Sequence, residues 1–266
     1  MAEEESPPLA VITGGSAGIG LATAKALGRR GWRVIICSRG EAAGRTAEAS
    51  LISEGIEAEW LMADVADVEQ LGNVAEVAAR HPSRLTAWVN NAGRPLVKDS
   101  LTISVEEWDD VFRTNVRSVF FGAQAAARVM MNNGGGVIVN VSSVHGQIGS
   151  PGRVAYTSSK HAVEGLTKAL AVEWGRAGVR VVGIAPGYID TELLRTAQRA
   201  GNFSMEQVAQ RVPLGRIGTV DDVGNAIALL CSPELRYVNG ATLVLDGGFI
   251  AHGSFEVLGP PLGEPR

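Results

Sequence analysis

Short, unbroken apolar segments alternate with longer helical patterns along almost the whole chain, and this alternation limits the possible folds most. Segments such as Leu9–Thr13 and 136–141 are continuously apolar, which indicates strands buried on both faces, as in a parallel sheet. Strands separated by helices predict a doubly wound α/β fold with helices on both faces of the sheet. We predict seven strands, at about 9–13, 33–38, 57–62, 85–90, 136–141, 179–185 and 241–245, and helices at about 17–30, 41–54, 67–80, 104–132, 154–177 and 219–231.

The length of 266 residues suits one α/β domain, and no linker rich in Pro, Gly or Ser divides the chain. We therefore expect a single domain over 1–266, with a core at 8–249 and tails at 1–7 and 250–266. The second tail contains Gly259-Pro-Pro-Leu-Gly-Glu-Pro, which cannot sustain regular structure.

Charge and composition exclude several classes of partner. The net charge of −4, without a block of Lys or Arg, argues against nucleic acid. No apolar run approaches the ~20 residues of a membrane span, and the acidic start lacks the apolar segment of a secretory signal. Cys37 and Cys231 stand singly in apolar stretches, which indicates reduced thiols and a cytoplasmic location. The histidines His81, His161 and His252 lack metal-ligand spacing, so we expect no metal.

A glycine-rich turn, Thr13-Gly-Gly-Ser-Ala-Gly-Ile-Gly20, joins the first strand to the first helix. Such turns also occur for geometric reasons alone, but a strand before and a helix after are the context of a dinucleotide site. Glycines let the backbone approach a pyrophosphate, and the helix N-terminus supplies free N–H donors. The spacing Gly14-x-x-x-Gly18-x-Gly20 differs from the G-x-G-x-x-G of typical dinucleotide dehydrogenases. We expect cofactor contacts from Gly14, Ser16, Gly18, Ile19 and Gly20.

Tyr156 and Lys160 are four residues apart in a helical pattern, so their side chains share one face. A phenol with a pKa of about 10 is a poor acid or base at neutral pH, unless a nearby cation lowers that pKa. The pattern Tyr-x-x-x-Lys alone is weak. The pattern becomes informative together with the glycine-rich turn and with the pair Ser142-Ser143, whose second serine stands thirteen residues before the tyrosine.

Taken together, these motifs resemble the short-chain dehydrogenase/reductase family, and most of all its 3-oxoacyl-(acyl carrier protein) reductase branch. The similarity covers about residues 8–249, and the combined motifs are highly specific. It implies a Rossmann sheet of seven parallel strands, a nicotinamide cofactor and a site at the carboxyl ends of the strands. The residues that carry it are the glycine turn, Asn90-Asn-Ala-Gly93, Asn115, Ser143, Tyr156, Lys160, Pro186-Gly187 and the closing segment 239–248.

The resemblance implies four catalytic residues. Tyr156 would exchange a proton with the substrate oxygen, while Lys160 would lower the tyrosine pKa and hydrogen-bond the nicotinamide ribose. Ser143 would hold the substrate oxygen. Ser142 is the competing choice, but the family's spacing of thirteen residues between serine and tyrosine is matched by Ser143. Asn115 would kink its helix and position a water molecule.

Further cofactor contacts follow from the resemblance. Asp64, with Val65, would meet the adenine, although Asp64 could instead cap the following helix. Backbone at Asn91, Ala92 and Gly93 would run along the cofactor. The segment after the sixth strand would grip the carboxamide, through Pro186, Gly187, Ile189 and Thr191.

The end of the second strand, Ser38-Arg39, favours NADP(H) over NAD(H). NAD-dependent relatives usually carry an acidic residue at position 38, whereas Arg39 offers a planar fork for a 2′-phosphate. Two residues argue against this preference. Ala17 stands in the glycine turn, where many NADP-specific relatives carry a basic residue, and Glu41 is an acid close to Arg39. NAD(H) is therefore the alternative cofactor.

We therefore expect an NADP(H)-dependent oxidoreductase that reduces a ketone to a secondary alcohol, or the reverse. The alternatives are an NAD-dependent sugar-alcohol or gluconate-type dehydrogenase and, remotely, a cofactor-sensing regulator without turnover. Residues 190–212 are predicted to be polar and partly helical, with a break at Gly201-Asn202, and 188–212 would form a mobile lid over the substrate. The pocket would be moderately apolar and would favour neutral ketones, although Arg153 could attract an anion. The candidate pocket residues are Val144, His145, Arg153, Tyr188, Leu193 and Leu194.

A homotetramer is also expected. Phe120, Phe121, Met130 and Met131 make the helical region 104–132 apolar on faces that one sheet cannot cover. The family resemblance implies pairing through this region and 154–177.

Overall fold

In the computed structural model, which describes residues 6–199 and 204–253, seven parallel strands form one sheet. The strand order is β3-β2-β1-β4-β5-β6-β7, so the chain reverses direction across the sheet between β1 and β4. The strands are β1 Leu9–Thr13, β2 Arg33–Ser38, β3 Ala58–Met62, β4 Leu85–Asn90, β5 Gly136–Val141, β6 Val179–Pro186 and β7 Thr242–Leu245. The predicted single Rossmann-like α/β domain is confirmed.

Helices cover both faces of the sheet, because successive residues of each buried strand point to opposite sides. Ala10 and Ile12 pack into one apolar cluster with α1, α2 and α9, whereas Leu9 and Val11 pack into another with α3, α5 and α6. The described α-helices are α1 Gly18–Gly28, α2 Glu41–Ser53, α3 Val68–Arg80, α4 Val105–Phe112, α5 Ser118–Asn132, α6 Val154–Trp174, α7 Glu192–Arg199, α8 Met205–Ala209 and α9 Val220–Cys231.

The helical region 104–132 is not one continuous α-helix. A π-helical segment, Arg113–Arg117, separates α4 from α5 and carries Asn115 at its centre. Single π turns inside helices are frequent at functional sites. The apolar pattern continues across the break, which is why periodicity alone did not show it.

One helix end differs from its predicted boundary, and one segment agrees with its prediction. α6 ends at Trp174 and is followed by a 3₁₀ turn, Gly175–Ala177, which Gly178 closes with a φ of +80°. Region 190–212 is partly helical, as predicted, and contains α7 and α8, while its predicted break at Gly201-Asn202 lies outside the described residues.

The prediction that Met130 faces an interface is wrong. Its side chain is fully buried in the core of this chain, where the position of a Cβ on Gly136 would come within 2.7 Å of its sulfur. Phe120 and Phe121 are half-buried, and Met131 is 36% exposed. Among the described residues, no helix is long and apolar enough to cross a bilayer.

Candidate active site

The carboxyl ends of β1 and β4 are joined by one hydroxyl and one carboxamide. Thr13 Oγ1 donates to Val89 O at 3.3 Å and accepts from the backbone N–H groups of Asn91 and Ala92 at 3.0 and 3.1 Å. Asn91 Nδ2 in turn donates to Thr13 O and Gly14 O at 2.9 and 3.2 Å. These bonds fix the glycine turn against the loop after β4, at the point where the strand order reverses and ligands bind in such sheets.

The glycines of this turn are required by close contacts and by backbone conformation. Gly14 and Gly18 have φ values of +65° and +54°, which favour glycine. A Cβ on Gly20 would lie 2.3 Å from Gly14 O, so no larger residue fits there. A ligand can reach this turn, because Ser16, Gly18 and Ile19 are all partly exposed.

The N-terminus of α1 fits a phosphate-bearing group. Ala17 is its N-cap and offers no side-chain hydrogen bond, so the N–H groups of the first turn keep their donors for a ligand. Thr191, from the segment after β6, comes to about van der Waals distance of this turn: its Cγ2 is 4.0 Å from where a Cβ on Gly18 would lie. The predicted pyrophosphate and carboxamide contacts are therefore on neighbouring loops, as a dinucleotide requires.

At the end of β2, Ser38 is half-buried and Arg39 is exposed. Ser38 Oγ accepts a hydrogen bond from Trp60 Nε1 at 3.0 Å. A carboxylate at this position, usual for a ribose diol, is replaced here by a hydroxyl with a cation beside it.

Asp64 does not cap α3, which removes the alternative explanation for this residue. The N-cap is Asp67, whose Oδ1 accepts from the backbone of Glu69 and Gln70. Asp64 is half-buried after β3, and its Oδ1 accepts from Ala66 N at 2.9 Å, while Val65 beside it is buried.

Ser143, Tyr156 and Lys160 come together beyond the end of β5. The Ser143 hydroxyl hydrogen-bonds the phenol of Tyr156, and it also accepts from His145 N at 3.2 Å. Lys160 is buried, its Nζ donates to Val141 O at 2.8 Å, and this nitrogen is 5.7 Å from the centre of the Tyr156 ring. Ser142, the competing serine, is buried with an Oγ that has no partner among the described residues.

Asn115 holds the loop after β4 against α6. Its Nδ2 donates to Arg94 O at 2.9 Å and to Ser159 Oγ at 3.0 Å, and its Oδ1 accepts from Arg94 N at 2.7 Å. A Cβ on Gly93 would lie 3.6 Å from Asn115 Oδ1 and 3.7 Å from Lys160 Nζ. Both amide donors of Asn115 are used in these bonds, so the side chain serves as a clamp.

The electrostatics of the cleft involve Arg153 as well as the buried lysine. Burial raises the pKa of the Tyr156 phenol, and the influences that lower it are the hydrogen bond from Ser143 and the positive charge of Arg153. The influence of Arg153 was not anticipated from the sequence, and the lowering of this pKa by Lys160, whose Nζ is 5.7 Å from the ring centre, stays a prediction. Burial also lowers the pKa of Lys160 to about 8, against the opposing charge of Glu164.

The candidate substrate pocket is lined by aromatic rings and lies within reach of the charge of Arg153. His145 makes edge-to-face contacts with Tyr156 and Tyr188, at 6.0 and 6.4 Å between ring centres, and Tyr188 contacts Phe249 at 5.3 Å. Burial and the charge of Arg153 lower the pKa of His145 to about 4, so the imidazole is neutral at neutral pH.

The remaining pocket candidates differ in accessibility. Val144 is 1% exposed and packs inward, so it adds no open surface to the cleft. Leu194 is half-buried in α7, whereas the side chain of Leu193 lies outside the described part of the structure. Pro186, the last residue of β6, and Ile189 after it are buried, and Gly187 N donates to Leu245 O at 3.0 Å, which ties this segment to β7.

Several residues of this region were not anticipated from the sequence. Thr13, Trp60 and Glu164 act through contacts between distant elements, which no local pattern shows. Phe249 follows the Gly247-Gly248 pair at the end of the similar region, and that position is the one signal that could have suggested it.

Comparison with known proteins decides the family. The family model described as enoyl-(acyl carrier protein) reductase matches residues 14–250. The chain belongs to the short-chain dehydrogenase/reductase family.

Its curated relatives differ in substrate. A gluconate 5-dehydrogenase of Gluconobacter oxydans is 37% identical over 239 residues, which are 90% of this chain and 93% of the relative. A cyclopentanol dehydrogenase of Comamonas sp. is 36% identical, covering 91% of this chain and 96% of the relative. A 3-oxoacyl-[acyl-carrier-protein] reductase of Escherichia coli is 35% identical, covering 90% and 96%. The expected resemblance to this branch is confirmed.

The fold is shared with solved members of the family. A variant of the actinorhodin polyketide ketoreductase, crystallised with NADPH, superposes with a TM-score of 0.88 at 32% identity, over 94% of this chain and 99% of that one.

Proposed function

We propose that this protein is an NADP(H)-dependent oxidoreductase that reduces a ketone to a secondary alcohol, or catalyses the reverse reaction. The observation that carries the proposal is the meeting of Ser143, Tyr156 and Lys160 beside a glycine turn with an uncapped helix N-terminus. One set of residues suits proton transfer and the other suits a dinucleotide. Asn115 clamps the loop between them.

The residues have distinct proposed roles. When bound, the nicotinamide supplies or accepts the hydride. Tyr156 gives its proton to the carbonyl oxygen during reduction, and its raised pKa keeps the phenol protonated at neutral pH. Ser143 holds the substrate oxygen by a hydrogen bond that strengthens as charge develops on that oxygen. Lys160 places its ammonium group towards the nicotinamide ribose and the phenol of Tyr156.

The cofactor would lie along the carboxyl edge of the sheet. Asp64 and Val65 would meet the adenine, and Ser38 and Arg39 the 2′-phosphate that distinguishes NADP(H). A hydroxyl and a guanidinium suit that phosphate better than a ribose diol. The remaining proposed contacts are Gly14, Ser16, Gly18, Ile19, Gly20, Asn91, Ala92, Gly93, Pro186, Gly187, Ile189 and Thr191.

The test is NADPH oxidation with a panel of ketones, comparing the unaltered protein with Tyr156→Phe. We expect the variant to lose turnover by ~10²-fold or more, the scale of general acid–base catalysis, while its affinity for NADP⁺ is retained. Tyr237→Phe, at a fully exposed tyrosine, is the matched control and should keep full activity. Normal turnover by Tyr156→Phe on any substrate of the unaltered protein would refute the assignment.

One observation favours a second candidate, a dehydrogenase of hydroxy acids related to gluconate. Arg153 is half-buried at the start of α6, and its charge reaches both His145 and Tyr156. A guanidinium at that place suits a substrate carboxylate. The ketone panel should therefore include a keto-sugar acid beside a neutral cyclic ketone, and Arg153→Leu should weaken turnover of the acid alone.

We also propose a cytoplasmic homotetramer. A groove along α4, the π segment and α5 is lined by the half-buried apolar residues Phe112, Val116, Phe120 and Leu166, with the charged residues Asp109, Arg113 and Arg117 beside them. A groove with an apolar centre and charges of both signs suits a symmetric contact with a second copy. The buried free thiols of Cys37 and Cys231 support a reducing location.

A further inference from the structure

The indole of Trp60 is held against the end of β2, next to the place proposed for the 2′-phosphate. Its Nε1 donates to Ser38 Oγ at 3.0 Å, although the strand partner of Ser38 is Met62 and that of Trp60 is Ile36. Trp60 is only 5% exposed. The indole of Trp60 therefore reaches two residues along β2 to make this hydrogen bond, which does not follow from the pairing of the strands.

Helix α2 keeps this indole in place. A Cβ on Gly44 would lie 2.1 Å from Trp60 Nε1, so the ring packs directly on the helix backbone. Arg45 lies over the ring, with its guanidinium carbon 5.0 Å from the centroid, and Trp60 N donates to Glu48 Oε1 at 2.8 Å. With these contacts around it, the indole has little freedom to turn away from Ser38.

This contact decides what the Ser38 hydroxyl can offer. A hydroxyl has one proton to donate and two lone pairs that accept, whereas an indole N–H only donates. Because Trp60 occupies one lone pair of Ser38 Oγ, the hydroxyl is best used as a donor, and its proton has no acceptor among the described residues. A phosphate only accepts hydrogen bonds, so it suits such a donor, whereas a ribose diol is held best by a carboxylate, which accepts from its hydroxyls.

We propose that Trp60 is a positioning residue that sets the preference for NADP(H), because it orients the Ser38 hydroxyl towards the 2′-phosphate beside Arg39. The inference rests on the proposed use of a nicotinamide dinucleotide and adds a residue that does not touch the cofactor.

The experiment measures the dissociation constants of NADP⁺ and NAD⁺ by calorimetry, for the unaltered protein and for Trp60→Phe, Ser38→Ala and the double variant. Trp60→Phe should weaken NADP⁺ binding about three- to tenfold, the scale of one hydrogen bond, and leave NAD⁺ binding within about twofold. Ser38→Ala should do the same, and the double variant should be no weaker than Ser38→Ala, because both changes remove one interaction.

Two further variants keep the result interpretable. Trp32→Phe, beside the opposite end of β2, is the matched control and should bind both dinucleotides normally. Trp60→Tyr keeps more of the ring volume and serves if Trp60→Phe does not fold. Equal weakening of both dinucleotides by the Trp60 variants, or an added loss in the double variant, would overturn the role of Trp60. If the unaltered protein bound neither dinucleotide, the proposed function itself would fail.

Discussion

Glu164 offers a quantitative test of the electrostatics around Lys160. The carboxylate follows Lys160 by one turn of α6 and is 8% exposed. Thr242 Oγ1 donates to its Oε2, while Oε1 has no partner among the described residues. Burial lowers the pKa of Lys160 to about 8, and the negative charge of Glu164 is the influence that raises it. Glu164→Gln removes that charge with little change in volume, so the pKa of Lys160 should fall further.

The size of the effect follows from Coulomb's law. Side chains at i and i+4 are ~6 Å apart, which gives about 3 kcal/mol at an effective dielectric constant of ~20. Since a change of one in pKa corresponds to ~1.4 kcal/mol, we expect the pKa of Lys160 to fall by about one to two in Glu164→Gln, once partial screening is included.

The measurement is the pH dependence of kcat for ketone reduction. Lys160 is charged below its pKa, so activity that needs the ammonium group should fall as the pH rises through about 8. In Glu164→Gln this fall should occur at lower pH. The phenol of Tyr156, with its raised pKa, titrates well above this range, and His145, with a pKa of about 4, titrates well below it.

Glu173→Gln is the control, since Glu173 is exposed near the end of the same helix and should leave the profile unchanged. An identical alkaline limb in Glu164→Gln and the unaltered protein would refute the argument that Glu164 maintains the charge of Lys160.

Three other predictions concern packing, assembly and motion. Gly44→Ala should lower the thermal midpoint, because its methyl group would overlap Trp60 and such overpacking costs about 1–3 kcal/mol; an unchanged midpoint would contradict the packing. Phe120→Asp should convert the proposed tetramer into smaller species in sedimentation velocity, whereas a monomeric unaltered protein would exclude the tetramer. Hydrogen exchange in 188–199 and 204–212 should slow when NADP⁺ and a ligand bind, and equally strong protection without them would remove the lid hypothesis.

The sheet was predictable because its strands are buried on both faces. Segments such as 33–38 and 136–141 have no polar alternation, so their apolar runs gave both their limits and their parallel arrangement. The π segment around Asn115 was not visible, because residues on either side continue the same apolar pattern. Met130 was misplaced because periodicity identifies an apolar face but does not say whether the sheet or a second subunit covers it.

The candidate site was predictable where a sequence motif marks the residue, and less so where one residue supports another. Tyr156, Lys160 and Ser143 are recognisable from spacing, and the structure brings them together. The influence of Arg153 on the phenol and of Glu164 on Lys160 depends on distances and burial, which spacing does not contain. Trp60 is a similar case, since its contact with Ser38 joins two strands through their side chains.

The candidate residues of α6 are held from two directions, which explains why Asn115 can matter without touching the phenol. Ser159 Oγ donates to Tyr156 O at 2.7 Å and accepts from Asn115 Nδ2, so the turn of α6 that carries the tyrosine is tied to the loop after β4. Lys160 Nζ ties the next turn to Val141, two residues before Ser143. Since transition-state stabilisation depends on placement to within a fraction of an ångström, loss of either link should reduce turnover more than cofactor affinity. The alignment of the tyrosine, the lysine and the serine therefore depends on both links, one from α6 to the loop after β4 and one from α6 to β5.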